Sequence, residues 1–234
     1  SMDIRKDLTM KQMTELPEFA PMRYAFVGAA GDWLSQIEEN CTLEGMTRKH
    51  PTWYYGDIMY GLKRLSDVAK KEKQYVFPIY TDEEIDRDQS LKNVTLVYHP
   101  ADHTASETQV LLLSGGAYGA VCTLVESMPV AAKLNEMGIT AYSLNYRTAS
   151  SDCFQDGLMP KPIQDVARAV RFIQEHFGTA SENLMVGGFS AGGHLACLWG
   201  LHYAEYGCGK PPMLMLDYPL VSLENCAGPM RQYK

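Results

Sequence analysis

Leu184-Met185-Val186-Gly187 runs directly into Gly188-Phe189-Ser190-Ala191-Gly192, and a helical run through Leu195, Leu198 and Trp199 follows. An apolar strand, a G-x-S-x-G turn and a helix in immediate succession hold a serine hydroxyl at a sharp bend. That hydroxyl is a poor nucleophile unless a base can take its proton and backbone amides can meet the oxyanion, and the bend gives both access. Gly188 and Gly192 are needed because a side chain at either position would crowd a turn whose central residue has strained backbone angles. The helix beginning at Ala191 adds its positive end. Ser190 is therefore the candidate catalytic residue. The competing reading is a glycine-rich turn that only packs closely.

Outward from this turn, β-rich runs alternate with amphipathic helices from residue 75 onward, which predicts an α/β fold with a mostly parallel sheet. The predicted strands are Tyr75–Tyr80, Val94–Tyr98, Val110–Leu113, Thr140–Asn145, Leu184–Gly187 and Met213–Tyr218. Ser127 is read as the cap of a helix through Met137 that Gly138 stops. A second helix follows Pro162, with Ile163, Val166, Val170, Ile173 and Phe177 on one stripe and Asp165, Arg168, Arg171 and Glu175 outside it. Ser114-Gly115-Gly116-Ala117-Tyr118-Gly119 follows the third strand. This position resembles that of the oxyanion loop of α/β-hydrolases, and the resemblance implies that the amides of Gly116 or Ala117 face that of Ala191 to complete an oxyanion hole. Neither glycine stretch has the spacing of a nucleotide loop.

Before residue 75 the pattern is helical and broken by prolines. Thr9-Met10-Lys11-Gln12 fits a capping box ahead of a helix that Pro17 ends, and Ile58, Leu62, Leu65 and Ala69 recur at helical spacing from Gly56 to Lys70. The expected organisation is a helical appendage over residues 1–74 and an α/β core over 75–234. Trp33, Trp53, Tyr54 and Tyr55 lie between the helices and are read as anchoring the appendage, the alternative being a cover over a substrate cleft.

The composition, 46% hydrophobic and 21% charged, excludes disorder and a coiled-coil rod. A net charge of −7 with no basic stripe argues against a nucleic-acid partner and favours a small neutral or cationic ligand. Cys41, Cys122, Cys153, Cys197, Cys208 and Cys226 contain no C-x-x-C pair, so zinc and redox motifs are not expected. They read as mostly buried thiols in a reducing, cytoplasmic compartment. Residues 1–7 carry no apolar signal core, and no run of about 18 apolar residues suggests a membrane span. His99 and His103 are four apart, but Pro100 breaks the helix that would align them on a metal, so both are assigned to a surface loop. No metal or cofactor is expected.

With these strings in view, residues 93–224 resemble the α/β-hydrolase superfamily, specifically its small esterase/lipase group of acetyl-xylan-esterase-like and xylanase-B-like esterases. Leu113 through Tyr118 resembles the group's oxyanion loop, with Ser114 where His or Pro is usual and Ala117 in place of a third glycine. Leu144-Asn145-Tyr146-Arg147 resembles its N-Y-R strand end, Pro162 through Arg171 its following helix, and Gly188 through Leu195 its G-F-S-A-G-G-H-L elbow. The resemblance implies a serine esterase acting through an acyl-enzyme on short-chain, acetyl-like esters, carbohydrate esters among them. It also implies a triad in the order Ser, Asp or Glu, His.

Here the chain departs from the pattern. Of 234 residues, 44 follow Ser190 and only 16 follow Tyr218, so the part expected to carry acid and histidine is missing. The six histidines, at 50, 99, 103, 176, 194 and 202, all precede the place where the family's base belongs. His194 reads as structural. Asp217, at the end of the last predicted strand, is the candidate acid, with a backbone-bonding role as the alternative. Arg147 and Asp165 are expected to pair, the carboxylate favoured near its helix N-terminus. The two readings are thus an esterase completed by residues absent from this chain, and a truncated, non-catalytic binding or self-associating module. An uncovered sheet edge at Met213–Tyr218 makes a homo-oligomer the expected macromolecular partner.

Overall fold

The computed structural model describes residues 7–23, 40–50, 52–148 and 160–220. Each of the six apolar runs becomes a strand: β1 (Val76–Pro78), β2 (Thr95–His99), β3 (Gln109–Leu113), β4 (Ala141–Asn145), β5 (Leu184–Phe189) and β6 (Leu214–Asp217). They lie side by side in the order β1-β2-β4-β3-β5-β6. β1 and β4 both pair antiparallel with β2, whereas β3, β4, β5 and β6 are parallel to their neighbours. Five strands therefore run one way and β2 alone opposes them. The C-terminal ends of β3, β5 and β6 consequently meet at one edge.

Helices cover both faces, which explains why β3 is buried but for its first residue and β4 along its whole length, rather than alternately. Leu111, Leu113, Tyr142, Leu144 and Val186 share a cluster with Ile163, Val166, Val170 and Ile173 of α6 (Pro160–Phe177) and with Leu195 and Trp199 of α7 (Ala191–His202). On the opposite face, Val110, Leu112 and Ala141 pack with Ala131 of α5 (Ser127–Glu136). The division follows the two-residue period of a strand.

The preceding helices are α1 (Met10–Glu15), α2 (Leu43–Lys49), α3 (Tyr55–Lys71) and α4 (Asp82–Arg87). The capping box at Thr9 forms as read: Gln12 N–H donates to the Thr9 hydroxyl at 3.1 Å, and Thr9 N–H donates to the Gln12 side chain at 3.0 Å. Met13, Phe19, Leu43, Ile58, Leu62 and Leu65 form an apolar cluster that also contains Val97 of β2 and Met128 of α5. Trp53 and Tyr55 pack against that cluster, while Tyr54 is 67% exposed. Trp33 lies outside the described residues, as do Cys153 and Cys226. Cys41, Cys122, Cys197 and Cys208 are half-buried rather than buried.

Three local readings are corrected. Ser127 is the first residue of α5, not its cap, because its hydroxyl bonds that of Ser114 on the neighbouring loop. His99 is not in a surface loop. It is the last residue of β2, 3% exposed, with Nε2 2.7 Å from the Ser143 hydroxyl. Asp165 is not on a polar face, since α6 starts at Pro160 and turns this carboxylate into the interior. There it meets Arg147, the pair expected from sequence: Nη2 lies 2.9 Å from Oδ1, and the Arg147 N–H donates to Oδ2 at 2.8 Å. The Tyr80 hydroxyl donates to the same carboxylate at 2.7 Å. The pair forms one turn deeper than the helix terminus, so hydrogen bonds rather than the helix dipole hold the charge.

Candidate active site

β5 ends at Phe189, and the chain reverses through Ser190 into α7. Ser190 takes φ 52° and ψ −117°, a region that costs a non-glycine residue about 1–3 kcal/mol unless its surroundings hold it. They do so through the backbone. Ser190 N–H donates to the Asp217 carbonyl at 3.1 Å, and the Ser190 carbonyl accepts from His194 N–H at 3.1 Å and Leu220 N–H at 3.0 Å. A Cβ on Gly188 would lie 2.1 Å from the Gly192 carbonyl oxygen, and one on Gly192 would lie 2.0 Å from that of Leu113. Both glycines are therefore sterically required. Ser190 is half-buried, and among the described residues its hydroxyl makes no hydrogen bond.

The loop after β3 presses against this turn. A Cβ on Gly115 would fall 2.6 Å from the Phe189 carbonyl oxygen and 2.9 Å from Ser190 Cβ. Gly116, Ala117 and Tyr118 all take positive φ, at 141°, 55° and 56°. The coil is stabilised when Gly119 N–H and Ala120 N–H both donate to the Gly116 carbonyl, at 2.9 and 3.1 Å. Among the described residues the amides of Gly116, Ala117 and Ala191 donate to no acceptor. A Cβ on Gly115 would also lie 3.4 Å from the Ala191 nitrogen, so the loop and the turn that carry these N–H groups abut.

Below the loop, the Tyr146 hydroxyl donates to the Ser114 carbonyl and Cys122 N–H donates to the Gly115 carbonyl at 2.8 Å. Gly115 N–H donates to Glu126 Oε1 at 2.9 Å, and the other oxygen of Glu126 accepts the Tyr218 hydroxyl. Burial raises the Glu126 carboxyl above the ordinary range, and the nearby Asp217 charge adds to this, while its two donors oppose the rise. Burial raises the Tyr218 phenol in turn, and Glu126 raises it further. Sequence reading missed both residues. A carboxylate that enters a site by folding back across a loop leaves no periodicity to detect.

Asp217 ends β6 as expected, but it meets Ser190 through its carbonyl, and its side chain is exposed. The rings of His194, His202, His50 and His176 are engaged elsewhere. His194 Nδ1 bonds the Tyr118 hydroxyl at 2.7 Å, and burial pulls this imidazole below its ordinary pKa. His202 bonds Glu205 at 2.8 Å, while His50 stacks on Trp53 and His176 on Phe172. Among the described residues no histidine side chain is hydrogen-bonded to the Ser190 hydroxyl, and no three His, Cys, Asp or Glu side chains are grouped to hold a metal ion. No helix among them is long and apolar enough to cross a membrane.

The sheet order, the reversed β2 and the strand-to-helix turn are those of the α/β-hydrolase fold, and by homology the chain falls among esterase- and lipase-type hydrolases. It belongs to the BD-FAE family, whose model matches residues 96–214. It is 29% identical over 125 residues to endo-1,4-beta-xylanase B of Butyrivibrio fibrisolvens, covering 48% of this chain and 19% of that protein. It is 26% identical over 141 residues to hormone-sensitive lipase of Mus musculus, covering 58% and 18%. The chain thus spans about a fifth of the length of these curated relatives. Among solved structures, an acetyl ester-xyloside bifunctional hydrolase from Caldicellulosiruptor lactoaceticus matches with a TM-score of 0.51 and 28% identity, over 63% of this chain and 58% of that one.

Proposed function

We propose that Ser190 is the nucleophile of a carboxylic-ester hydrolase that acts on short-chain, acetyl-like esters, including those of carbohydrates, through an acyl-enzyme. The observation that carries this reading is the strained Ser190 turn packed against the glycine loop, with the Ser190 hydroxyl and the amides of Gly116, Ala117 and Ala191 making no hydrogen bond among the described residues. Acetylated carbohydrate as substrate follows from the xylan-degrading and acetyl-ester relatives. Ser190 Oγ bonds to the acyl carbon while its proton passes to an imidazole, and the amides take the negative oxygen. The carbon–oxygen bond to the alcohol then breaks, and the alcohol leaves with that proton. Water repeats the sequence on the acyl-enzyme and releases the carboxylic acid.

None of the six imidazoles is bonded to the Ser190 hydroxyl, so in this reading the base is not one of them as they stand. The same observation favours the second reading, a binding module that keeps the turn as architecture. Loss of the base costs a serine hydrolase roughly 10⁶ in turnover, with the oxyanion donors leaving a residue above the water rate. Hydrolysis of an aryl acetate by the protein and by Ser190→Ala separates the two. A rate that falls to background in the variant supports the esterase, and equal rates support the module.

A further inference from the structure

Glu126 is the residue immediately before α5, at its N-cap position. Its side chain makes no capping hydrogen bond. Its carboxylate instead folds back on the loop after β3, one oxygen accepting Gly115 N–H at 2.9 Å and the other the Tyr218 hydroxyl. Tyr218 belongs to the segment that grips the nucleophile turn. The carbonyl of Asp217, its neighbour, accepts Ser190 N–H, and the N–H of Leu220 donates to the Ser190 carbonyl. One side chain therefore ties the loop beside Ser190 to the strap that holds Ser190.

The tie acts on peptide orientation. In a trans peptide the C=O and N–H point in opposite directions. The Gly115 carbonyl accepts from Cys122 N–H at 2.8 Å, so the amide of Gly116 points away from Cys122. On the other side of Gly115, its N–H is fixed by Glu126 and the preceding carbonyl by Tyr146. Without Glu126 the Ser114–Gly115 peptide would keep only the Tyr146 hydroxyl on its carbonyl, and Gly115 has no side chain to restrain it further.

We propose that Glu126 is a positioning residue of the reaction assigned to Ser190, clasping Gly115 and Tyr218 so that the amides of Gly116 and Ala117 are held in register with the serine. The proposal rests on the esterase reading. It assigns Glu126 no contact with substrate and no proton transfer.

The test uses the whole chain, Glu126→Ala, Glu126→Gln and Tyr218→Phe, with Ser190 phosphonylation by an aryl phosphonate ester followed by mass spectrometry. Backbone amide exchange across residues 115–118 is measured in parallel. Displacing an oxyanion donor costs about 10²-fold in rate. Glu126→Ala is expected to slow labelling by about that factor and to speed amide exchange. Glu126→Gln, whose carbonyl still accepts Gly115 N–H, is expected to recover most of both. Tyr218→Phe opens one arm at the surface, so it gives a smaller loss in a folded protein even should Glu126→Ala fail to fold. Labelling at the parent rate in Glu126→Ala and Tyr218→Phe overturns the proposal while leaving the esterase reading intact. An unlabelled Ser190 in the parent contradicts the esterase reading and the proposal with it, whereas unchanged amide exchange in Glu126→Ala overturns the clasp independently of any chemistry.

Discussion

Ser190 keeps its left-handed backbone because three backbone hydrogen bonds and two glycines leave the turn no other path. The two glycines that crowd it most closely predict different failures. A methyl at Gly192 would press on the Leu113 carbonyl, which is strand backbone and cannot rotate aside. Gly192→Ala is expected to cost more than about 3 kcal/mol in urea unfolding. At Gly115 the methyl would press on the turn itself, so Gly115→Ala is expected to slow Ser190 labelling more than it lowers stability. His99 supplies a pH test. Burial, with the Arg64 charge adding to it, holds its imidazole down at about 3. The unfolded chain takes up this proton near pH 6.5 and the folded one only near 3, so between those values the unfolded state binds more protons. Stability is complete above pH 6.5 and falls as the pH drops through that window, by up to about 1.4 kcal/mol per pH unit. Replacing His99 by Gln is expected to flatten the slope between pH 6.5 and 4, and parallel slopes would contradict the assignment.

At the scale of elements, the strands were legible because β3, β4 and β5 are short apolar runs between turn signals, and each observed strand falls within a residue or two of the predicted one. The reversal of β2 was not, since nothing in Val94–Tyr98 itself distinguishes the two directions. The three side chains misplaced from sequence share one cause. Ser127, His99 and Asp165 each look polar and local, yet each is buried by a partner far along the chain: Ser114, Ser143 and Arg147. The buried pair joining β4 to α6 carries a prediction of its own. Arg147 is 2% exposed and Asp165 fully buried, so removing one charge strands the other. Arg147→Leu is expected to cost about 3–5 kcal/mol, and the double variant with Asp165→Leu to recover much of it. A single variant costing under about 1 kcal/mol would show that the charge is not confined.

Across the whole molecule, the helices before residue 75 share one apolar cluster with β2 and α5, so their packing reaches the element that starts at Glu126 and Ser127. Leu62, fully buried in that cluster, is expected to cost about 2–5 kcal/mol as alanine and to lower a single unfolding transition. Two separate transitions would instead mark the helical part as independent. The nucleophile turn and its glycine loop were readable from sequence because steric necessity writes them as fixed glycine spacings. The clasp of Glu126 on Gly115 and Tyr218 was not, because it exists only once the ends of β3 and β6 are brought together. Everything functional depends on whether that assembled edge reacts. The most direct measurement is peptide mapping of the protein quenched in acid after brief exposure to an aryl acetate. An acetyl group is expected on Ser190, with none on the Ser190→Ala protein. Hydrolysis that survives in Ser190→Ala, or a protein that never carries acetyl at Ser190, would contradict Ser190 as the nucleophile.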